Sequence, residues 1–500
     1  MAAVSDAEYE SYNGSFVPLI RISSRILHAW WNRYFADRDL AWIIDAPRNG
    51  RNDPAMMPPI TVTPIFALVA PVAALFAQDA PMFRGDLAHT GVYQSAAPQT
   101  LDVVKWKFPT GAYMISSPAI VGDLIYVGST DGRLYAIDRE SGAKRWTLQT
   151  GARVVSSPAV AEDVVYVLSY DDTLYAANAR TGSVVWKFAT RGEHRYTATH
   201  LHGTLPRAEA MPDPYDTFLS SPAVSNGTVY FGSSDGNVYA LSASTGSLKW
   251  KFKTGDVVHS SPAVVGGTVY VGGWDTFFYA LDAATGALKW KYKTGDDADE
   301  HNQIGIQSSP AVVDGVVYFG GRDSYLYALQ AGTGALKWRV RNHGAWVITS
   351  PAVTDGMVYY GNADGQTFYA LDAATGAARD SLKASWYFFG SPAVAGPMVY
   401  APNWDGRIFV FDRVSHRQTY VFETDSSRVN RQRYVRPDGS HFFGAALPNG
   451  REYFYDQHVM ALAHEWTMGS FLSSPVVSRG VVYCASMDGT LYALTSAKSP

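Results

Sequence analysis

Nine of the eleven histidines that follow residue 77 fall in the loops that join one copy of a repeated pattern to the next. One stretch reads RGEHRYTATHLHGTLPRAEAMPDPYDTF. Within it, His200 and His202 stand one residue apart, which puts two imidazoles on one side of an extended segment, as a metal site needs. Histidines that merely pin a loop by hydrogen bonds give the same spacing. A second stretch, DDADEHNQIGIQ, carries Asp297, Asp299, Glu300 and His301. Clustered carboxylates can hold calcium, but the spacing matches no D-x-D-x-D-G loop, and a solvated acidic loop is the plainer reading. A third set is spread over the chain: His259, Trp274, Gln307, Arg322, His343 and Trp346. A planar or sugar ring stacked on tryptophan and held by arginine, glutamine and histidine is sound recognition chemistry. On this reading His259, His301, His343 and Arg322 are the candidates for catalytic work. Trp274, Gln307, Trp346, Trp404, Tyr170 and Trp386 are the candidate ligand contacts. The competing reading is that the same side chains plug a funnel.

The elements that position these residues come from an internal repeat. Ser-Pro recurs with proline at 118, 158, 222, 262, 310, 351, 392 and 475. The fourth copy, SSPAVVGGTVYVGGWDTFFYALDAATGALKWKYKTG, holds four short β-type segments separated by Gly-Gly, Trp-Asp-Thr and Thr-Gly. Alternating apolar residues with such punctuation describe a four-stranded antiparallel meander. One meander cannot bury both faces, but a ring of eight can. The expected fold is therefore all-β: an eight-bladed β-propeller over residues 101–497, with 78–100 as a lead-in. From each proline to a small residue of the third strand (Ala136, Ala176, Ala240, Ala280, Ala328, Ala370, Val410, Ala493) is 18 residues, or 19 in the sixth copy. Ten residues further on stand Trp146, Trp186, Trp250, Trp290 and Trp338, replaced by Asp380 and Tyr420 in copies six and seven. The eighth copy ends before this point, and VVKWKFPTG with Trp106 stands near the other end. The N-terminal strand is thus expected to complete the eighth blade and close the ring.

Length variation falls in the blade-to-blade loops, with insertions at 191–217, 296–307 and 426–465. In an up-and-down meander these loops share one face with the turns between second and third strands. Long loops on one face of a rigid scaffold are a usual seat of function. The third insertion, with Phe442-Phe443, Phe454-Tyr455 and His458, is long enough for a lid over the mouth or for a dimer contact.

The pattern from Ala280 to Trp290, A-x-D-x-x-T-G-x-x-x-W, resembles the tryptophan-docking motif of pyrroloquinoline quinone (PQQ)-type propellers. PMFRGDLAHTG at 81–91 is similar to the lead-in of exported PQQ-repeat proteins. The resemblance implies the propeller fold over about 81–497, with the tryptophans as core packing. It implies little about function, because propellers host unrelated activities. The quinone dehydrogenases of this class commonly use a vicinal cysteine pair, and the chain has one cysteine, Cys484. That argues against PQQ as cofactor and leaves a metal ion open. The outer-membrane assembly-factor propeller shares the architecture, but its lipid-anchoring cysteine is missing here.

Composition sets the outer bounds. The chain has 500 residues, 44 of them Gly and 31 Tyr, with a net charge of −4. No basic field marks a nucleic-acid binder. The run ITVTPIFALVAPVAALFA at 60–77 reads as the core of an export signal spanning 56–77. Pro64 and Pro71 argue against a membrane span there. Residues 1–55 read as an extension outside the fold. No Gly-x-Ser-x-Gly elbow, phosphate loop or HExxH is present, so no reaction class can be named. The leading expectation is a periplasmic or secreted propeller that binds a small molecule or glycan on its histidine- and aromatic-rich face. A PQQ- or metal-dependent dehydrogenase and a periplasmic scaffold for a protein partner are the alternatives.

Overall fold

The computed structural model describes residues 79–199, 201, 208–295, 304–442, 446 and 455–497. The segments 1–55 and 56–77 lie outside them.

Blade four shows why the repeat folds as it does. Ala263–Val265, Thr268–Gly272, Phe277–Asp282 and Leu288–Lys293 pair antiparallel in chain order. The three inner strands are buried almost throughout, because a neighbouring blade covers each face. The outer strand alternates exposed Leu288, Lys289, Lys291 and Lys293 with half-buried Trp290 and Tyr292. Asp275 in the turn accepts hydrogen bonds from the Phe277 N–H (3.1 Å), the Tyr279 hydroxyl (2.5 Å) and the Gly255 N–H (2.6 Å), which precedes the blade. In blades two, four and five the recurring aspartate is therefore more than a turn former: it ties the turn to the loop entering it. Trp290 donates from Nε1 to the Ala331 carbonyl of blade five at 2.9 Å. Trp106, Trp146, Trp186, Trp250 and Trp338 do the same into their own neighbours. The tryptophans are blade-to-blade packing.

Eight such four-stranded antiparallel blades make up the described chain, as the repeat predicts. Blade eight takes Val476–Ser478, Val481–Ala485 and Thr490–Thr495, and its outer strand is Val103–Pro109, paired antiparallel with Thr490–Thr495. Cys484 lies buried in this blade, where burial pushes its thiol up to about 12. That thiol is a packing group, not a nucleophile.

Two features run around the axis. The serine before each repeat proline accepts a hydrogen bond from the backbone N–H of its counterpart in the preceding blade, at 2.8–3.3 Å. These eight bonds close on themselves, from Ser117 round to Ser474 and back. The Ser-Pro signal in the sequence is thus the trace of a serine girdle. The lead-in is the second feature. Carbonyls of Ala80, Pro81, Leu87, Ala88, Thr90 and Gly91 accept from Ile120, Val160, Val264, Val312, Val353 and Val394 in turn. The cord visits the inner strands of blades one, two, four, five, six and seven in order. Val92–Tyr93 then pairs parallel with Ala393–Ala395. Arg84, buried within the cord, donates to the carbonyls of Pro392 (2.5 Å) and Pro351 (3.1 Å).

Candidate functional site

The face opposite the cord carries the candidate residues. The insertion after blade two forms an arm whose short strands Thr197–Ala198 and Met211–Pro212 pair antiparallel. Downstream of this hairpin the chain turns back over the axis, with Asp213 and Asp216 both fully buried. The insertion after blade seven starts with helix α1, Asp425–Asn430, capped by the Thr424 side chain on Ser427 N–H. It ends with helix α2, Tyr455–Trp466. Buried His458, Ala461, Leu462 and Glu465 follow the i, i+3, i+4, i+7 spacing of one helix face. The two insertions meet where the Tyr455 hydroxyl donates to the Pro212 carbonyl at 2.7 Å.

Under this cover the structure brings together His259, Trp274, Gln307, Arg322 and Trp346. Arg322 lies between two indoles, its guanidinium carbon 4.4 Å from the Trp274 ring centre and 4.5 Å from that of Trp346. Tyr196 from the arm stacks on Trp274 at 4.3 Å and 14°. Nη1 of Arg322 donates to Asp213 Oδ2 at 2.5 Å, while Nε and Nη2 donate to Gln307 Oε1 at 3.0 and 2.7 Å. A guanidinium is suited to this place because its flat, weakly hydrated faces stack while its edge pairs with a carboxylate. Burial pushes the Asp213 carboxyl above its usual range, against the pull of Arg322.

Beside this stack lies a chain of polar groups. His259 Nδ1 is 2.8 Å from Asp216 Oδ1, and Nε2 is 2.7 Å from the Ser234 hydroxyl. Burial alone would lower the His259 pKa. The Asp216 carboxylate, with Glu193 and Asp256 behind it, reverses that and holds the pKa above its ordinary value. Ser234, His259 and Asp216 thus have the order of a nucleophilic triad. The fourth member changes the chemistry. Ser234 Oγ is also 2.9 Å from Glu193 Oε2, which accepts from the Ser234 N–H as well, while Thr190 and Ser233 donate to Oε1. The one hydroxyl proton therefore has two competing acceptors within reach, the Glu193 carboxylate and the His259 ring. A hydroxyl shared with a carboxylate is a poorer nucleophile than one held by histidine alone, and the array is a buried polar network.

The remaining candidates lie around this centre. Trp404 donates from Nε1 to Glu465 Oε2 at 3.1 Å and packs edge-on to Phe389 at 4.7 Å. Burial holds the Glu465 carboxyl well above the usual range, opposed by that indole donor. Trp386 is fully buried and meets His441 edge-on at 4.9 Å. Tyr170 is half-buried with Arg153 stacked 3.9 Å over its ring. His343 is exposed, in a left-handed turn (φ 50°), and does not join the cluster. His200, His202, Asp297, Asp299, Glu300 and His301 lie outside the described residues. Among the described residues no group of three or more His, Cys, Asp or Glu is placed to hold a metal. No helix among them is long and apolar enough to cross a membrane.

Sequence reasoning found the propeller half of this centre and missed the half supplied by the insertions: Glu193, Tyr196, Asp213 and Asp216 of the arm and Glu465 of α2. The available signal was the acidic PDPYD run in an insertion facing an unrepeated arginine. Below the cluster, the axial cavity bounded by the serine girdle, Phe83, Ile348 and Phe389 has a volume of about 40 Å³. That is room for a water or two.

These features define a closed, eight-bladed propeller of the PQQ-repeat type whose axis is filled by its own chain. The family model of the outer membrane protein assembly factor BamB matches residues 96–211, 204–340, 297–413 and 322–441. The chain belongs to that family. Among solved structures it is similar to BamB from Moraxella catarrhalis, with 16% identity over 79% of this chain and 98% of that one, and a TM-score of 0.55. It is also similar to the quinohemoprotein alcohol dehydrogenase of Comamonas testosteroni, with 14% identity over 86% and 83% of the two chains and a TM-score of 0.62. A europium-containing methanol dehydrogenase matches at 14% identity over 85% of this chain and all of that one, with a TM-score of 0.61. At these identities the likeness is one of fold. No curated protein sequence matches the chain.

Proposed function

We propose that the protein is an exported interaction scaffold that serves the assembly of outer membrane proteins and holds a polypeptide partner on its outer surface. The observation that carries this reading is the state of the mouth. The side chains suited to gripping a ring-shaped ligand grip the chain's own arm instead: Arg322 on Asp213, His259 on Asp216, Trp274 on Tyr196. A small molecule or glycan would enter there only after the arm had left. The same occupancy argues against a quinone seated on the axis.

The outer strands of blades three, four and five offer a surface for the partner. Leu248–Lys253, Leu288–Lys293 and Leu336–Arg341 each end a sheet, and each exposes three cations and no acid. Lysines on an open edge discourage indiscriminate strand pairing and favour an acidic segment. The test joins two measurements. Removing the protein from its host is expected to lower outer membrane protein levels. Lys251→Glu, Lys291→Glu and Arg339→Glu combined are expected to reproduce that loss without lowering the melting temperature. Unchanged levels on removal, or a quinone band in the absorption spectrum of the purified protein, overturns the reading.

A further inference from the structure

Six of the blade junctions hold an indole in the same way. The ring of Trp338, for example, covers the next blade's turn at Gly376, where a Cβ on the glycine would fall 2.9 Å from the ring, and donates to the Ala373 carbonyl. At the junction of blades six and seven both halves of this motif are changed. Asp380 stands opposite Ala370 in the register where Trp338 stands opposite Ala328. His416 takes the glycine place of the next turn and keeps the left-handed backbone, with φ 57°. The ring is gone and its seat remains. A cavity of about 130 Å³ opens there, floored by Tyr359, Phe368, Val399 and Phe411, with Asp380 and His416 at its rim. The floor includes a pair of parallel rings, Phe368 and Phe411, 5.4 Å apart at 2°. A cavity of roughly 150 Å³ lined by apolar side chains is known to admit a benzene ring, so the volume is right for one aromatic group.

The rim decides what that group carries. Asp380 is exposed, with one oxygen 3.9 Å from His416 Nδ1. Asp412 also lines the cavity, and the Ser415 and Val414 N–H groups hold its carboxyl below the usual range. The one arginine there, Arg413, has its charge met by Asp355 at 2.7 Å. The balance at the opening is negative.

We propose that the junction of blades six and seven is a binding site for a cationic arylalkylamine, whose ring takes the seat of the missing tryptophan and whose ammonium group pairs with Asp380. This site lies on the outer flank of the ring and is independent of the axial cluster. The experiment titrates the purified protein with tryptamine, indole and indole-3-acetate by calorimetry and ligand-observed NMR. Tryptamine is expected to bind saturably and indole more weakly. Indole-3-acetate is expected to be weaker than tryptamine by about tenfold or more, a modest share of a close charge contact. Asp380→Trp with His416→Gly restores the full motif in register, so it is expected to abolish tryptamine binding and raise the melting temperature. Asp380→Lys, an exposed change, is expected to invert the preference toward indole-3-acetate. No saturable binding of any probe, undiminished binding to a folded double variant, or an unaltered preference in Asp380→Lys overturns the proposal.

Discussion

Arg322 is the residue on which most of the capped mouth converges. It is fully buried, salt-bridged to Asp213 on the arm, hydrogen-bonded to Gln307 on the neighbouring loop, and stacked between two indoles. Removing one partner of a buried pair leaves the other charged and dry, at a cost of about 3–5 kcal/mol. Arg322→Ala is therefore expected to lose stability on that scale in urea unfolding. Arg322→Lys should recover part of it, because an ammonium keeps the charge but loses the forked bond to Gln307 and the flat stack. If the alanine variant unfolds within about 1 kcal/mol of the wild type, the arm is not held by this pair. Sequence inspection singled out Arg322 because it breaks the repeat just before the turn aspartate. It could not supply the partner. Asp213 and Asp216 sit in an insertion with no period, and only the fold shows that this insertion returns to the axis.

Repeats and insertions differ in how much of them could be foreseen. The fixed distance from proline to tryptophan encodes a hydrogen bond from Nε1 to the next blade's carbonyl, so the spacing located five docked rings and the orphan segment VVKWKFPTG the sixth. Helix α2 carries no such mark. Its face is buried as on any amphipathic helix, but it includes Glu465, which local pattern would assign to solvent. Burial favours its uncharged form. Glu465 lies under Trp404 and Trp386 with its folded pKa raised by burial. Below the unfolded value near 4.5 both states are protonated and pH has no leverage. As pH rises past that value the unfolded chain releases the proton and the folded chain retains it, so stability falls with rising pH until the folded pKa is reached. One linked proton changes the folding equilibrium by at most about tenfold per pH unit. Glu465→Gln removes the penalty and keeps an acceptor for the Trp404 N–H. Its urea midpoint is expected to exceed that of the wild type by a larger margin at pH 8 than at pH 5. An advantage equal at both pH values would mean that Glu465 is charged in the folded protein.

At the scale of the ring, the question is what makes eight near-identical blades behave as one body. Each blade contacts its two neighbours, and a stack of such units would unfold piecemeal if nothing crossed between distant members. Two devices cross. The serine girdle links each inner strand to the next. The lead-in cord reaches six blades directly and anchors Arg84 between the carbonyls of Pro351 and Pro392. A chain begun at Gln99 keeps every blade strand but frees the N–H groups of Ile120, Val160, Val264, Val312, Val353 and Val394 at the base of the axis. Each buried donor left without an acceptor carries a penalty of about 1–3 kcal/mol where water cannot replace the lost partner. Water reaches that end once the cord is gone, so the larger effect is on cooperativity. In the chain retaining residues 79–98, tryptophan fluorescence and far-ultraviolet circular dichroism are expected to give coincident unfolding curves. In the shortened chain the curves should separate, with fluorescence changing first as the docked indoles of individual junctions loosen. Coincident curves in both chains would assign the unity of the ring to the serine girdle and the blade contacts alone, and would leave the cord as a cover for the open end of the axis.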